Sequence, residues 1–131
     1  MGTNLRTNLS KSNPYYISKH RRLELTHFCL QYPEWEEYLK EVNFKGSEDE
    51  WSDPTSEEAI KRIIYKGKIN LVQECCHAAG DDIYIFLLRS VTLGYPYVQL
   101  RTKYQIPCGK DYFYDKLHKF FYILSRKEQM F

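Results

Sequence analysis

Long apolar runs are missing from this sequence. No stretch approaches the ~18–20 consecutive apolar residues that a helix needs to cross a bilayer, so no transmembrane segment is expected. The opening "MGTNLRTNLSKSNP" has no apolar core of the kind a secretory signal requires. Gly2 follows the initial Met, but Arg6 stands where a myristoylation motif wants Ser or Thr. An intracellular, cytoplasmic protein without a membrane partner is the expectation.

Catalytic and metal-binding patterns are missing too. There is no Gly-rich phosphate loop, no GxSxG and no HExxH. Cys29, Cys75, Cys76 and Cys108 form no CxxC. Adjacent Cys75 and Cys76 diverge by about 100° on a helix, which suits neither a shared metal nor a mutual disulfide. Burial as free thiols is expected for them. His20, His27, His77 and His118 show no metal-ligand spacing. The carboxylate pairs Glu36-Glu37 and Asp81-Asp82 sit where helix starts are expected, so capping accounts for them. Neither enzyme activity, cofactor nor metal is expected.

What is present is a globular composition, with 43% apolar, 16% aromatic and 27% charged residues in 131. That length suffices for one domain with a real core. The net charge of +2 is unevenly spread. Residues 1–33 carry +4, residues 34–58 carry −8, residues 59–93 carry +2 and residues 94–131 carry +4. An acidic middle between two basic ends excludes a uniform nucleic-acid coat and allows a local basic face.

Hydrophobic spacing predicts a single all-α domain of about six helices, over residues 15–131, behind a mobile arm at 1–14. The first helix covers about 17–31, with Ile17, Leu25, Phe28 and Cys29 inward and Lys19, Arg21 and Arg22 towards solvent. After Tyr32-Pro33, a second carries the stripe Trp35, Tyr38, Leu39 and Val42. "NFKGSEDEWSDP" reads as a loop. Thr55 and Glu58 then form a capping box before a long helix whose apolar face runs from Ala59 and Ile60 through Ile63, Ile64, Leu71 and Val72 to Cys75. Gly80 ends it, and Asp81 or Asp82 is expected to cap the next. That next run, from Ile83 to Leu93, is apolar almost all round and reads as the central buried helix.

The C-terminal quarter carries the functional signal. "YVQLRTKYQIPCGKDYFYDKLHKFFYIL" splits into two helical runs at "IPCG". Pro107 stops the first run, Ile106 is expected to insert between the helices, and Gly109 opens the second. Phe113, Leu117, Phe120, Phe121 and Leu124 form the inner stripe of the second run, with His118 at its rim. Outward residues at its start include Lys110, Asp111, Tyr112, Asp115, Lys116 and Lys119. Polar and basic groups on such a helix can reach base edges in a major groove, while Arg101, Lys103 and Arg126 would hold phosphates. With the preceding helix this makes a helix-turn-helix unit over 83–127.

The segment "GYPYVQLRTKYQIPCGKDYFYDKLHKFFYILSRK" resembles the region-4 helix-turn-helix of sigma factors. It is more similar to small phage and prophage regulators of the ArpU and RinA kind. Tyr97, Leu100, Tyr104, Ile106 and Pro107 match the segment that precedes the long helix in those proteins, and Phe113 and Tyr114 match the aromatic near its start. Two positions depart from the pattern. Arg101 stands where a small residue is common, and Gln105 replaces the usual turn glycine. The resemblance implies a phage-encoded transcription regulator that binds duplex DNA, with RNA polymerase as a further partner and a homodimer suited to two-fold operators. A second expectation stands beside it. The same helical architecture can bind a host protein, through the acidic block Glu34 to Glu58.

Overall fold

The structure is a computed structural model that describes residues 9–48 and 56–128, with the backbone alone at 43–48. Among the described residues the regular structure is all helical. Helix α1 spans Lys19–Leu30, α2 Tyr32–Glu48 and α3 Ser56–Gly80. A 3-10 turn, Asp81–Ile83, leads into α4, Tyr84–Leu93. Helix α5 spans Tyr97–Tyr104 and α6 spans Lys110–Glu128.

Ser18 starts α1 by accepting the Arg21 N–H on its hydroxyl at 3.3 Å. Gln31 then joins α1 to α2 directly, its carbonyl accepting from Glu34 and Trp35. Helix α2 runs past Val42 to Glu48, through the segment expected to be a loop. Gly46 is the one strong breaker within 43–48 and costs only about 1 kcal/mol in a helix interior. The expected capping residue Thr55 lies outside the described residues. Of the expected arm, residues 9–14 are described, and they run on into Tyr15 and Tyr16. Asn13 and Tyr16 donate into turns there, and the Tyr15 ring lies 5.8 Å from that of Tyr122 on α6.

The core gathers where α3 and α6 run alongside each other and α1, α2 and α4 close around them. Val72, Cys75, Cys76 and Ala79 of α3 meet the buried stripe Phe113, Leu117, Phe120, Phe121 and Leu124 of α6. Trp35 of α2 and Leu25 and Cys29 of α1 complete it. Truncating a ring as buried as Phe120 is worth about 3–5 kcal/mol. Cys29, Cys75 and Cys76 are buried free thiols and Cys108 is partly covered. Burial raises all four pKa values, that of Cys75 to about 11.

Five expectations are corrected by this packing. The apolar face of α3 is buried only in its second half, and Ile60, Ile63 and Ile64 are 57%, 71% and 47% exposed. Helix α4 is not buried all round, because Ile85 and Leu93 face solvent while Leu87 and Val91 face inward. Asp81 and Asp82 do not cap α4, which has no side-chain cap. They bond to His77 and to Tyr112 instead. Arg22 does not point to solvent, being only 8% exposed. Its guanidinium lies 4.0 Å from the Phe121 ring centre, and Nη1 donates to His118 Nδ1 at 3.2 Å. His118 is therefore buried and bonded rather than on the rim.

Candidate nucleic-acid interface

Gly94 ends α4 in the left-handed region at φ 76°, donating to the Ser90 carbonyl. The Ser90 hydroxyl donates to the Tyr95 carbonyl at 2.7 Å, and Pro96 starts α5. At the far end of α5 the chain turns through Gln105, also left-handed at φ 53°. The Gln105 and Ile106 N–H groups both donate to the Leu100 carbonyl. Ile106 is 1% exposed and is packed in the core. Across the turn, the Tyr97 hydroxyl donates to the Cys108 carbonyl at 2.7 Å. Gly109 accepts from the Phe113 N–H, and α6 begins. Backbone, apolar anchor and phenol thus hold the α5–α6 corner from three sides.

At about 100° per residue, Tyr112, Asp115, Lys116, Lys119 and Arg126 fall within an arc of roughly 100° on α6, opposite its buried stripe. Lys110 lies outside that arc, in the first turn. Tyr112 and Asp115 are exposed, whereas Lys116 and Lys119 are half-buried. The stem of Lys116 passes Gly80 so closely that a Cβ there would stand 3.3 Å from its Cγ. Its ammonium lies 5.1 Å from the Tyr112 ring centre. Arg126 donates to the Tyr122 hydroxyl at 2.9 Å, about 24 Å along the helix from Lys110. On α5, Arg101 and Lys103 are exposed but diverge by about 200° around the axis. Five of the eight expected contacts therefore share one face, and the other three do not.

No family model, no curated protein and no solved structure matches the chain.

Two features of the site were not expected from the residues. Tyr112 donates to Asp82 Oδ2 at 2.6 Å, which ties the first turn of α6 to the 3-10 turn after α3. That bond, followed by partial burial and the Asp82 charge, raises the Tyr112 pKa. His77 stacks on Tyr84 at 3.7 Å and bonds to Asp81 beside it. The Tyr112–Asp82 pairing leaves no sequence signal, because 30 residues separate the partners, whereas His77 and Asp81 stand one helical turn apart. The electrostatics are mixed. Asp111 and Asp115 accompany the lysines on α6, and Asp115 borders a shallow hollow with Asn13 and Tyr15 of the N-terminal segment. Among the described residues no cluster of metal-ligating side chains occurs.

Proposed function

We propose that the chain is a phage or prophage-encoded transcription regulator that binds duplex DNA through α4, α5 and α6 as a helix-turn-helix. The observation that supports this reading best is the anchored α5–α6 corner. It presents one face of α6, carrying Lys116 and Lys119, to solvent while its opposite stripe is core. Lys116 and Lys119 would work at the groove, and Lys110 with the N-terminal N–H groups of α6 would hold a phosphate. Arg126 lies too far along the helix to read a base beside Lys110, so its role is a phosphate contact. Tyr112 is engaged by Asp82 and positions α6 rather than reading a base. A two-fold operator would call for a second copy.

The experiment is binding of labelled duplexes, from random fragments and from the gene's own upstream region, across a salt series. Saturable binding to the upstream fragment that weakens steeply with salt supports the reading. No binding at low salt rejects it. The exposed isoleucines of α3 favour a second reading, a module that binds a host protein. Beside them α2 exposes Glu34, Glu36, Glu37 and Glu41. Replacing those four by Gln would then abolish partner capture and leave DNA affinity unchanged.

A further inference from the structure

A groove of about 400 Å³ runs between α1, the α4–α5 corner and α6. Lys19, Arg22, Leu23, Thr26 and Leu30 line it from α1. Their spacing covers about 16 Å of helix. The groove is polarised along that length. At one end Arg22 rests on Phe121 with Lys19 a turn away. At the other, Leu30 approaches Gly94, its Cδ2 3.8 Å from where a Cβ would stand, and Tyr95 closes the wall. Leu117 and Val91 line the span between. Two cations border the groove and, among the described residues, no acidic residue does.

Arg22 makes this more than an apolar cleft. Its side chain is almost wholly buried, and among the described residues no carboxylate is paired with it. Its bond is to His118 Nδ1, which must accept because Arg has no acceptor. Burial lowers its pKa only to about 10, so it is charged at neutral pH. A desolvated cation without an anionic partner is costly, and an anion brought to it in an apolar setting is strongly held. The volume is within the ordinary range for small-molecule sites.

We propose that this groove binds a small amphipathic carboxylate, with its anionic head on Arg22 and Lys19 and its apolar tail along Leu23 and Leu117 towards Leu30. The site is separate from the DNA-facing side of α6, and its occupation does not depend on the DNA reading.

The test is calorimetric titration of the full chain with decanoate, decanol and decyltrimethylammonium, which share a tail and differ in head charge. Saturable 1:1 binding of decanoate, at least about tenfold tighter than decanol, is expected, with no binding of the cation. Arg22→Met should remove most of the advantage of decanoate over decanol, Lys19 keeping the remainder, while decanol still binds, showing that the groove persists. Should that variant not fold, the three ligands on the unaltered chain still decide. Leu30→Asp, at a 40% exposed position, should then weaken decanoate by crowding the tail with a charge. Equal binding of decanoate and decanol, or no saturable binding of decanoate, overturns the proposal.

Discussion

Tyr112 on α6 and Asp82 after α3 are joined by a 2.6 Å hydrogen bond across 30 residues of chain. The phenol donates and the carboxylate accepts, so the bond requires the neutral tyrosine. This sets the direction of a pH effect. The folded-state pKa of Tyr112 is raised, chiefly by this bond. The stabilisation is therefore fully present below the unfolded tyrosine pKa of about 10 and is lost as pH rises through the folded value. Burial also raises Tyr32 and Tyr84, and a bond to Tyr104 raises Tyr95, so phenolate absorbance of the parent and of Tyr112→Phe should show one late-titrating tyrosine fewer in the variant. Asp82→Asn should bring that titration earlier.

Gln105 holds a left-handed backbone at φ 53°, the only non-glycine among the described residues with positive φ. A side chain there costs about 1 kcal/mol or more. Gln105→Gly should accordingly stabilise the fold by up to about 1 kcal/mol, less the extra entropy of glycine in the unfolded chain. Gln105→Val, β-branched, should destabilise it. Urea unfolding of the three proteins checks both signs. A loss on Gln105→Gly would mean that the side chain contributes more than its backbone strain costs.

The four thiols should separate by reactivity. Cys29, Cys75 and Cys76 are buried, and burial raises their pKa values. A disulfide reagent near pH 8 should label Cys108 well before the other three in the native protein, and all four together in denaturant. Because the buried thiols must stay protonated, their contribution to stability is complete below about pH 9 and falls as pH rises further. Rapid native labelling of Cys75 or Cys76 would mean that α3 and α6 part readily.

The stripe on α6 was legible because its spacing repeats over several turns and every member faces a neighbour. The same spacing on α3 misled at Ile60, Ile63 and Ile64. Periodicity shows that a face is apolar and does not show whether another helix reaches it. Here the buried part of α3 begins near Val72. Arg22 misled for a related reason. A cation in a basic stretch of helix, beside Lys19 and Arg21, reads as solvent-facing, and the ring and imidazole that receive it stand almost a hundred residues away. The α5–α6 corner was legible in its parts, Pro107, Gly109 and the apolar Ile106. Its clamp from Tyr97 to the Cys108 carbonyl was not, since nothing in a tyrosine's position announces a backbone partner.

The exposed isoleucines give an association test. Ile63 is 71% exposed, so Ile63→Lys removes little buried area and should change stability by no more than about 0.5 kcal/mol. If the first half of α3 joins two copies or docks a protein, the same change should lower the measured mass or abolish capture. Light scattering of the parent and variant at matched concentrations reads the first. An unchanged mass and unchanged partner binding would assign these residues to ordinary exposed surface.

The DNA reading stands on lysines whose surroundings differ, and that difference makes the mutational test sharper. Lys116→Ala would remove a stem packed on Gly80 as well as a charge, so Lys116→Gln is the better variant. Lys119 is half-buried on the same face, and Lys40 is exposed on α2. Lys116→Gln and Lys119→Gln should each weaken binding, and each lost phosphate contact should reduce the salt slope by about 1. Lys40→Gln should leave both affinity and slope unchanged. Equal losses for all three would reduce the interaction to general charge. Affinity lost with the slope unchanged would place Lys116 or Lys119 on base edges instead of phosphates, because only phosphate neutralisation releases counterions in proportion.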